Sequence, residues 1–204
     1  MIAIIDYGAG NLQSVKKAFD FIGAESVITD NPETINACDK ILLPGVGSFG
    51  DAMASMRAKN LVETVKQNAL SGKAFLGICL GLQLLFEESE ESPNVQGLGI
   101  FKGKIRRFPS DMGLKIPHIG WNSLDIKQKD TLFKGIPENS YVYFVHSYYL
   151  EAKDLTDVAT VTNYGIDFHS AVGKGNIFAT QFHPEKSGDV GLQILRNFAS
   201  MEVK

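Results

Sequence analysis

The first half of the chain alternates short apolar runs with segments whose apolar residues recur every three or four positions. The apolar runs predict buried strands at residues 2–5, 26–29, 40–43 and 74–78. The helical periodicity predicts helices at residues 12–22, one or two helices over 49–70, and another at 80–86. This β-α-β-α order predicts a largely parallel sheet with helices on both sides.

From about residue 97 the pattern changes to short apolar segments separated by glycine and proline turns. It predicts strands near residues 104–108, 124–127, 141–145, 158–162, 168–173 and 176–181, and a last helix over 190–199. Because no internal repeat or linker interrupts the pattern, we expect one domain over residues 1–204. The expected fold class is α/β, with a mostly parallel central sheet flanked by helices and short antiparallel strands in the C-terminal half.

Composition narrows the classes of protein to which the chain can belong. Of its 204 residues, 44% are hydrophobic and 21% are charged, which is typical of a globular protein rather than a disordered one. The formal net charge of −3 provides no attraction to nucleic acid or to an anionic membrane. Two cysteines are too few for a disulfide scaffold, and the longest apolar run is about half the length of a membrane-spanning helix. We therefore expect a cytoplasmic protein with reduced thiols.

The sharpest candidate for chemistry is Cys79, which lies between Gly77 and Gly81 where a buried strand is predicted to turn into a helix. This arrangement is typical of a nucleophile elbow, in which a tight turn holds the nucleophile clear of the backbone. The start of a helix stabilises negative charge and so favours the thiolate, and the N–H of Leu80 could serve an oxyanion. The alternative is an ordinary buried cysteine beside packing glycines.

A thiol nucleophile needs a base, and His183 is the candidate among four histidines. It follows a predicted strand, Pro184 fixes the bend after it, and Glu185 is near enough in sequence to orient the imidazole. Cys79, His183 and Glu185 would then form a triad by role. Taken alone, the His-Pro-Glu segment is more typical of a capped turn that opens the last helix.

Other segments carry weaker signals. The glycine loop at residues 44–47 ends a strand and should open on the same edge of the sheet as Cys79, where ligand sites of α/β proteins form. The segment around Trp121 is interpreted as a loop that covers the core, and the acidic run at residues 87–91 as a solvated surface. Residues 8–10 do not complete a dinucleotide-binding fingerprint, and no cysteines or histidines have metal-ligand spacing.

Together, GICLGLQ at residues 77–83 and QFHPE at residues 181–185 resemble the class I (triad) glutamine amidotransferases. Further matching blocks are DYGAGN at 6–11, LPGVG at 43–47, HIGWN at 118–122, YFVHSY at 143–148 and HPEKS at 183–187. They are similar to the subgroup in which the glutaminase is a separate subunit that serves a cyclase of histidine biosynthesis. The blocks span essentially the whole chain in order.

The resemblance implies hydrolysis of L-glutamine to glutamate and ammonia, with a catalytic triad formed by Cys79, His183 and Glu185. It implies an oxyanion hole built from Leu80 and from Val46 or Gly47, after a flip of the Val46 peptide. The residues that it implies for glutamine binding are Gly47, Gln83, His146, Ser147 and Tyr148. It implies neither a cofactor nor a metal.

A partner subunit is expected on physical grounds as well. Ammonia in water near neutral pH is mostly ammonium, which is not nucleophilic, so it must reach its acceptor by a shielded path. An acceptor site on a (β/α)8 barrel would need about 250 residues that this chain does not have. The resemblance implies a separate cyclase subunit in a heterodimer, and it implies that Asn11, Trp121 and Lys186 face that partner.

Three alternatives remain open at the level of sequence. One is a cysteine hydrolase or peptidase on a similar fold, against which Gln83 and the His-Pro-Glu segment argue. Another is a binding or regulatory module without catalysis, which the intact set of Cys79, His183 and Glu185 disfavours. The last is an amidotransferase with a different acceptor.

Overall fold

The computed structural model describes residues 1–202, and five parallel strands form one side of its main sheet. They are β1 (Ile2–Ile5), β2 (Ser26–Thr29), β3 (Lys40–Leu43), β4 (Ala74–Ile78) and β13 (Ile177–Thr180). Their order, from the edge of the sheet inward, is β2-β1-β3-β4-β13.

The register of the parallel strands places three loops side by side. β4 lies between β3 and β13, with Leu43 opposite Gly77 and Ile78 opposite Thr180. Since parallel strands all end at the same edge, the glycine loop after β3, Cys79 after β4 and the segment after β13 meet at one carboxyl edge. Ligand sites of open α/β sheets form at this edge.

In the described residues, six α-helices cover the two faces of the sheet. They are α1 (Leu12–Phe21), α2 (Pro32–Ala37), α3 (Phe49–Ala58), α4 (Val62–Leu70), α5 (Leu80–Leu84) and α6 (Gly188–Ala199). Alternate residues of β1 point to opposite faces, where α2, α3 and α4 pack on one side and α1 and α6 on the other. Asn11 and Asn31 cap the first two of these helices through their side-chain oxygens.

The remaining strands are mostly antiparallel and extend the sheet beyond β13. They are β5 (Glu88–Ser89), β6 (Gly103–Arg107), β8 (Asp125–Ile126), β10 (Tyr148–Ala152), β11 (Val158–Asn163) and β12 (Asp167–Lys174). β12 pairs with β13, β10 and β11, and β6 continues the sheet from β10. β7 (His118–Ser123) and β9 (Tyr141–His146) pair separately as a two-stranded antiparallel unit, which we call the β7–β9 ribbon.

The structure confirms the predicted α/β class and corrects several local predictions. The segment 49–70 forms two helices, α3 and α4, and the short helix α2 and strand β10 were not predicted. The interpretation of the Trp121 segment as a loop was wrong, because it is strand β7. Its exposed residues are the apolar ones, Ile119 and Trp121, which hides the usual alternation of a half-buried strand. Within residues 1–202, no helix is long and apolar enough to cross a membrane.

Candidate active site

Cys79 occupies a strained junction between β4 and α5. Its φ is +56° and its ψ is −110°, a backbone conformation that residues other than glycine rarely adopt. The N–H of Cys79 donates to the carbonyl of Thr180 at 2.7 Å, which ties the junction to β13. Gly81 approaches the carbonyl of Leu43 so closely that a Cβ would collide with it. The predicted tight turn from strand to helix at Cys79 is therefore present, and the residue is 7% exposed.

His183 and Glu185 meet in the turn that follows β13. His183 Nδ1 lies 2.8 Å from Glu185 Oε1, and the two side chains are only 3% and 1% exposed. The backbone of this turn is bound to β9: the N–H of His183 donates to the Tyr143 carbonyl at 3.0 Å. The Ser187 hydroxyl donates to the His183 carbonyl at 2.6 Å and accepts from the Tyr143 N–H at 3.0 Å. These contacts hold the backbone of the turn in the conformation in which Nδ1 of the imidazole faces Glu185.

Two opposing effects act on the His183 imidazole. Burial by itself lowers its pKa, but the acidic groups of Cys79 and Glu185 outweigh burial and raise the pKa of His183 to about 10. Cys79 and His183 line the same cleft, and His183 Nε2 has no hydrogen-bond partner among residues 1–202. Loose alignment between nucleophile and base is common before substrate binds.

A cleft of about 340 Å³ opens above these groups, a size suited to a small ligand. Nine of the residues singled out by sequence line it: Val46, Gly47, Cys79, Leu80, Gln83, His146, Ser147, Tyr148 and His183. Glu185 stands behind His183 rather than in the cleft. Gly47 has a φ of +98°, and Leu80 begins α5, where the first backbone N–H groups have no partner within the helix. Backbone donors and a buried thiol–imidazole–carboxylate set thus surround one space.

Comparison with known proteins identifies the family of the chain. Residues 3–201 match the family described as Glutamine amidotransferase class-I. The chain belongs to this family. It is 50% identical to the imidazole glycerol phosphate synthase subunit HisH of Syntrophotalea carbinolica, over 98% of this chain and 100% of that one. The subunit of the same name from Methanothermobacter thermautotrophicus is 51% identical, with 98% of each chain covered.

Solved structures of low sequence identity share the class-I amidotransferase fold. A crystal structure of a glutamine amidotransferase superposes with a TM-score of 0.75 at 19% identity, over 97% of this chain and 98% of the other. PurLQS from Thermotoga maritima gives a TM-score of 0.76 at 21% identity, over 97% and 96% of the two chains. Membership of this family favours the amidotransferase interpretation over the peptidase and non-catalytic alternatives.

Two side chains that the sequence analysis did not assign support this class-I site. Gln181 is fully buried, and its amide nitrogen lies 3.9 Å from Cys79 Sγ while its oxygen accepts from Gln83 Nε2 at 3.0 Å. Tyr7 donates its hydroxyl to the Pro44 carbonyl at 2.9 Å and so holds the glycine loop. Burial, and then the negative charge at Cys79, raises the pKa of Tyr7 well above its usual range, so this donor keeps its proton. Both residues lie in the matched sequence blocks, but the blocks do not show what they contact.

The interpretation of residues 87–91 as a solvated acidic surface was wrong for Glu91. Its carboxylate accepts from the N–H of Phe49 at 2.8 Å and lines the cleft, while Ser92 accepts from the N–H of Gly50. The acidic residue thereby complements the positive end of α3. A run of glutamates in sequence carried no signal that one of them turns inward.

Of the residues expected at the partner surface, Trp121 lies on the β7–β9 ribbon and Lys186 lies beside it. Trp121 is 55% exposed, and its ring meets Tyr143 with centroids 6.2 Å apart. Lys186 places its Nζ 5.9 Å from the centroid of the same tyrosine ring. Asn11 is exposed at the start of α1, a helix that contacts the 184–186 turn. Within the described part of the chain, no group of three or more potential metal ligands occurs.

Proposed function

We propose that this chain is the glutaminase subunit of an imidazole glycerol phosphate synthase, and that it hydrolyses glutamine with the Cys79–His183–Glu185 triad. The observation that carries the proposal is the convergence of three loops at one sheet edge. They bring a strained cysteine, a buried His–Glu pair and free backbone donors around a cleft of glutamine size. Sequence identity of about half with HisH subunits over the full chain supports the choice of pathway.

The first half of the reaction forms a covalent intermediate. The Cys79 thiolate attacks the side-chain amide carbon of glutamine, and the amide oxygen becomes an oxyanion. The N–H of Leu80 and a backbone N–H of the Val46–Gly47 segment, turned toward the cleft, donate to that oxygen. His183 Nε2 then gives its proton to the departing ammonia, which leaves a γ-glutamyl thioester on Cys79.

The second half releases glutamate. His183, now neutral, takes a proton from water as the water attacks the thioester carbonyl. The tetrahedral intermediate collapses to glutamate and the free Cys79 sulfur. Glu185 keeps the imidazole in one orientation throughout, because its carboxylate accepts from Nδ1 at 2.8 Å and leaves Nε2 facing the reaction.

The amino-acid end of glutamine needs groups of both signs and hydrogen-bonding backbone. Gln83 and the backbone at residues 146–148 line the cleft and serve as the polar contacts. Glu91 supplies the negative charge that an α-ammonium group requires. The thiol and the carboxylate thus orient glutamine with its side-chain amide toward Cys79.

The released ammonia passes to a separate (β/α)8 cyclase subunit in a heterodimer. The names of the relatives support a subunit of this synthase. The exposed face of the β7–β9 ribbon, with Asn11 and Lys186 beside it, is the surface proposed to contact the cyclase. The protein is proposed to act in the cytoplasm.

Replacement of the nucleophile tests the function. In the complex with the cyclase, Cys79→Ala should abolish glutamate release from glutamine and leave synthesis from added ammonia unchanged. The measurement is glutamate formation alongside imidazole glycerol phosphate formation with each nitrogen source.

The chain offers a matched control. Cys38 is its other cysteine and is buried in the core at the end of α2, away from the cleft. Cys38→Ala should retain both activities. Loss of ammonia-dependent synthesis in Cys79→Ala would show that the residue is structural and would overturn the assignment.

A further inference from the structure

His118 and His146 form a buried pair that the triad does not use. The two residues lie opposite each other in the β7–β9 ribbon. His118 Nδ1 is 2.9 Å from His146 Nε2, and His146 Nδ1 is 2.8 Å from the carbonyl oxygen of Tyr148. The pair therefore connects β7, whose other face is exposed, to the backbone that lines the cleft.

The surroundings determine which ring atoms carry protons. A carbonyl oxygen can only accept, so His146 Nδ1 is a donor. Burial holds the pKa of His146 at about 3 and that of His118 at about 4, so both rings are neutral at physiological pH. His146 Nε2 must then accept, His118 Nδ1 donates to it, and His118 Nε2 is left as an acceptor.

Asn122 is the outer end of this chain of hydrogen bonds. Its amide nitrogen donates to the Asn163 carbonyl at 2.8 Å, and its oxygen accepts from the N–H of Ser123 at 2.8 Å. These bonds fix the orientation of the amide, so Nδ2 also faces His118 Nε2 as a donor, at 3.4 Å. Every hydrogen bond from Asn122 inward therefore points in one direction, toward the Tyr148 carbonyl.

The inner end of the hydrogen-bond chain is linked to Cys79. The Tyr148 carbonyl also lies 3.3 Å from Gln83 Nε2, and the same nitrogen lies 3.0 Å from Gln181 Oε1. Gln181 in turn is in contact with Cys79 Sγ. A displacement of the Tyr148 carbonyl would consequently move a side chain that lines the cleft and a neighbour of the sulfur.

We propose that His118 and His146 are positioning residues of the glutaminase site: their directed hydrogen bonds hold the Tyr148 carbonyl, and through it Gln83, in the geometry that binds glutamine. This inference rests on the proposed glutaminase function. Neither imidazole exchanges a proton with the substrate. Each acts through the tautomer that its neighbours impose.

A packing role is the alternative, and the rings around His118 allow the two roles to be separated. His118 is stacked between Tyr164 and Phe144, with centroids 4.0 Å and 4.9 Å away. His118→Phe keeps a flat ring in this stack but removes the donor to His146. His118→Asn places an amide nitrogen where Nδ1 stands and so keeps the donor, but it removes the ring.

The test is glutaminase kinetics of the full chain bound to its cyclase. For His118→Phe we expect the KM for glutamine to rise about tenfold with kcat changed by less than about twofold, and for His118→Asn a KM within about twofold of wild type. The reverse order, with His118→Asn impaired and His118→Phe unaffected, would overturn the positioning role. A wild-type complex that releases no glutamate would instead overturn the underlying function.

A measurement on the unmodified protein covers the case in which a variant does not fold. Two-bond ¹H–¹⁵N spectra distinguish the two neutral tautomers of each histidine. We expect both His118 and His146 to be neutral and protonated at Nδ1 at pH 7, the form that is less common in free histidine. A proton on Nε2 of His146 would break the directed chain and contradict the proposal.

Discussion

At the scale of single residues, the site depends on side chains in environments that a free amino acid would avoid. Cys79 has a positive φ, and strain of this kind persists only where surrounding contacts enforce it. Here the hydrogen bond to Thr180 and the close contact of Gly81 with Leu43 enforce it. Glu185 is almost fully buried, and its contact with His183 is what makes that burial tolerable.

Loss of the buried charge should disable the base. In Glu185→Gln the pKa of His183 should fall, because one of the groups that raise it is gone, and the neutral amide no longer fixes the tautomer. We expect glutamate release by the complex to decrease about 10²- to 10⁴-fold. Ammonia-dependent synthesis should stay the same. Glutamate release within a few-fold of wild type would show that Glu185 does not orient the imidazole.

At the scale of elements, the β4–α5 junction works because β3 and α5 lie in direct contact. Gly81 is the residue at which this contact occurs. The second important element is the β7–β9 ribbon, which anchors the His183 turn through Tyr143 and contains the His118–His146 pair. The proposed triad is thus held both by the parallel sheet and by the ribbon.

A single methyl group at the β4–α5 junction should move the nucleophile. In Gly81→Ala the new Cβ meets the Leu43 carbonyl, so α5 must shift, at a cost of about 1–3 kcal/mol in the free energy of unfolding. We expect glutaminase activity to be lost, as measured by glutamate release, with the fold retained by circular dichroism. Gly175→Ala, in the turn between β12 and β13, strains a φ of +59° but brings its Cβ within 4 Å of no other atom, so this variant should keep its activity. Equal activity in the two variants would contradict the role of close packing.

The ribbon should also make stability depend on pH. Burial lowers the pKa of His118 and of His146, so between about pH 6.5 and pH 4 the unfolded chain binds protons that the folded protein does not. Stability contributed by these neutral rings is present above about pH 6.5 and is lost as the pH falls toward 4. The raised pKa of His183 acts at higher pH. The stability that its protonated imidazole contributes is present below about pH 6.5 and is lost as the pH rises toward 10.

Urea unfolding across this range measures the effect. For His118→Phe we expect the dependence of unfolding free energy on pH between 4.5 and 6.5 to weaken by up to about 1.4 kcal/mol per pH unit, the value for one proton. Identical slopes in wild type and variant would show that His118 is protonated in the folded state or that the ring is accessible to water.

At the scale of the whole molecule, the site lies next to an exposed apolar surface. Ile119 and Trp121 on β7 and Tyr141 on β9 are each more than half exposed, while the opposite face of the ribbon is buried against the core. Large apolar groups exposed together are typical of a surface that contacts another protein. This surface adjoins the turn that contains His183 through Tyr143 and Lys186.

A substitution on this surface should weaken binding to the cyclase. We expect Trp121→Ala to raise the Kd of the heterodimer about 30-fold or more, since an aromatic anchor at an interface contributes about 2 kcal/mol or more. Isothermal titration calorimetry gives the value. Phe21→Ala is the control. It removes a side chain that is 74% exposed at the C-terminal end of α1, the end away from Asn11, and it should leave the Kd unchanged. Equal effects of the two substitutions would place the interface elsewhere.

Sequence alone determined the features whose information lies in consecutive residues. The buried strands β1, β3 and β4 follow from uninterrupted apolar runs, and the elbow at Cys79 follows from a thiol between small residues at a strand end. The parallel order predicted for β3 and β4 then places the glycine loop and Cys79 at one edge of the sheet. These predictions rest on local rules of periodicity and chirality. The parallel pairing of β13 with β4, which brings His183 to the same edge, was not among them.

Only the tertiary structure decided the features that depend on contacts between distant parts of the chain. The strand nature of β7 follows from its pairing with β9, because its own pattern exposes the apolar residues. The inward turn of Glu91 toward Phe49, the contact of Gln181 with Cys79 and the proton positions on His118 and His146 are each set by a partner that is remote in sequence. A neutral imidazole or a buried amide takes its role from the groups around it, and these are known only once the chain has folded.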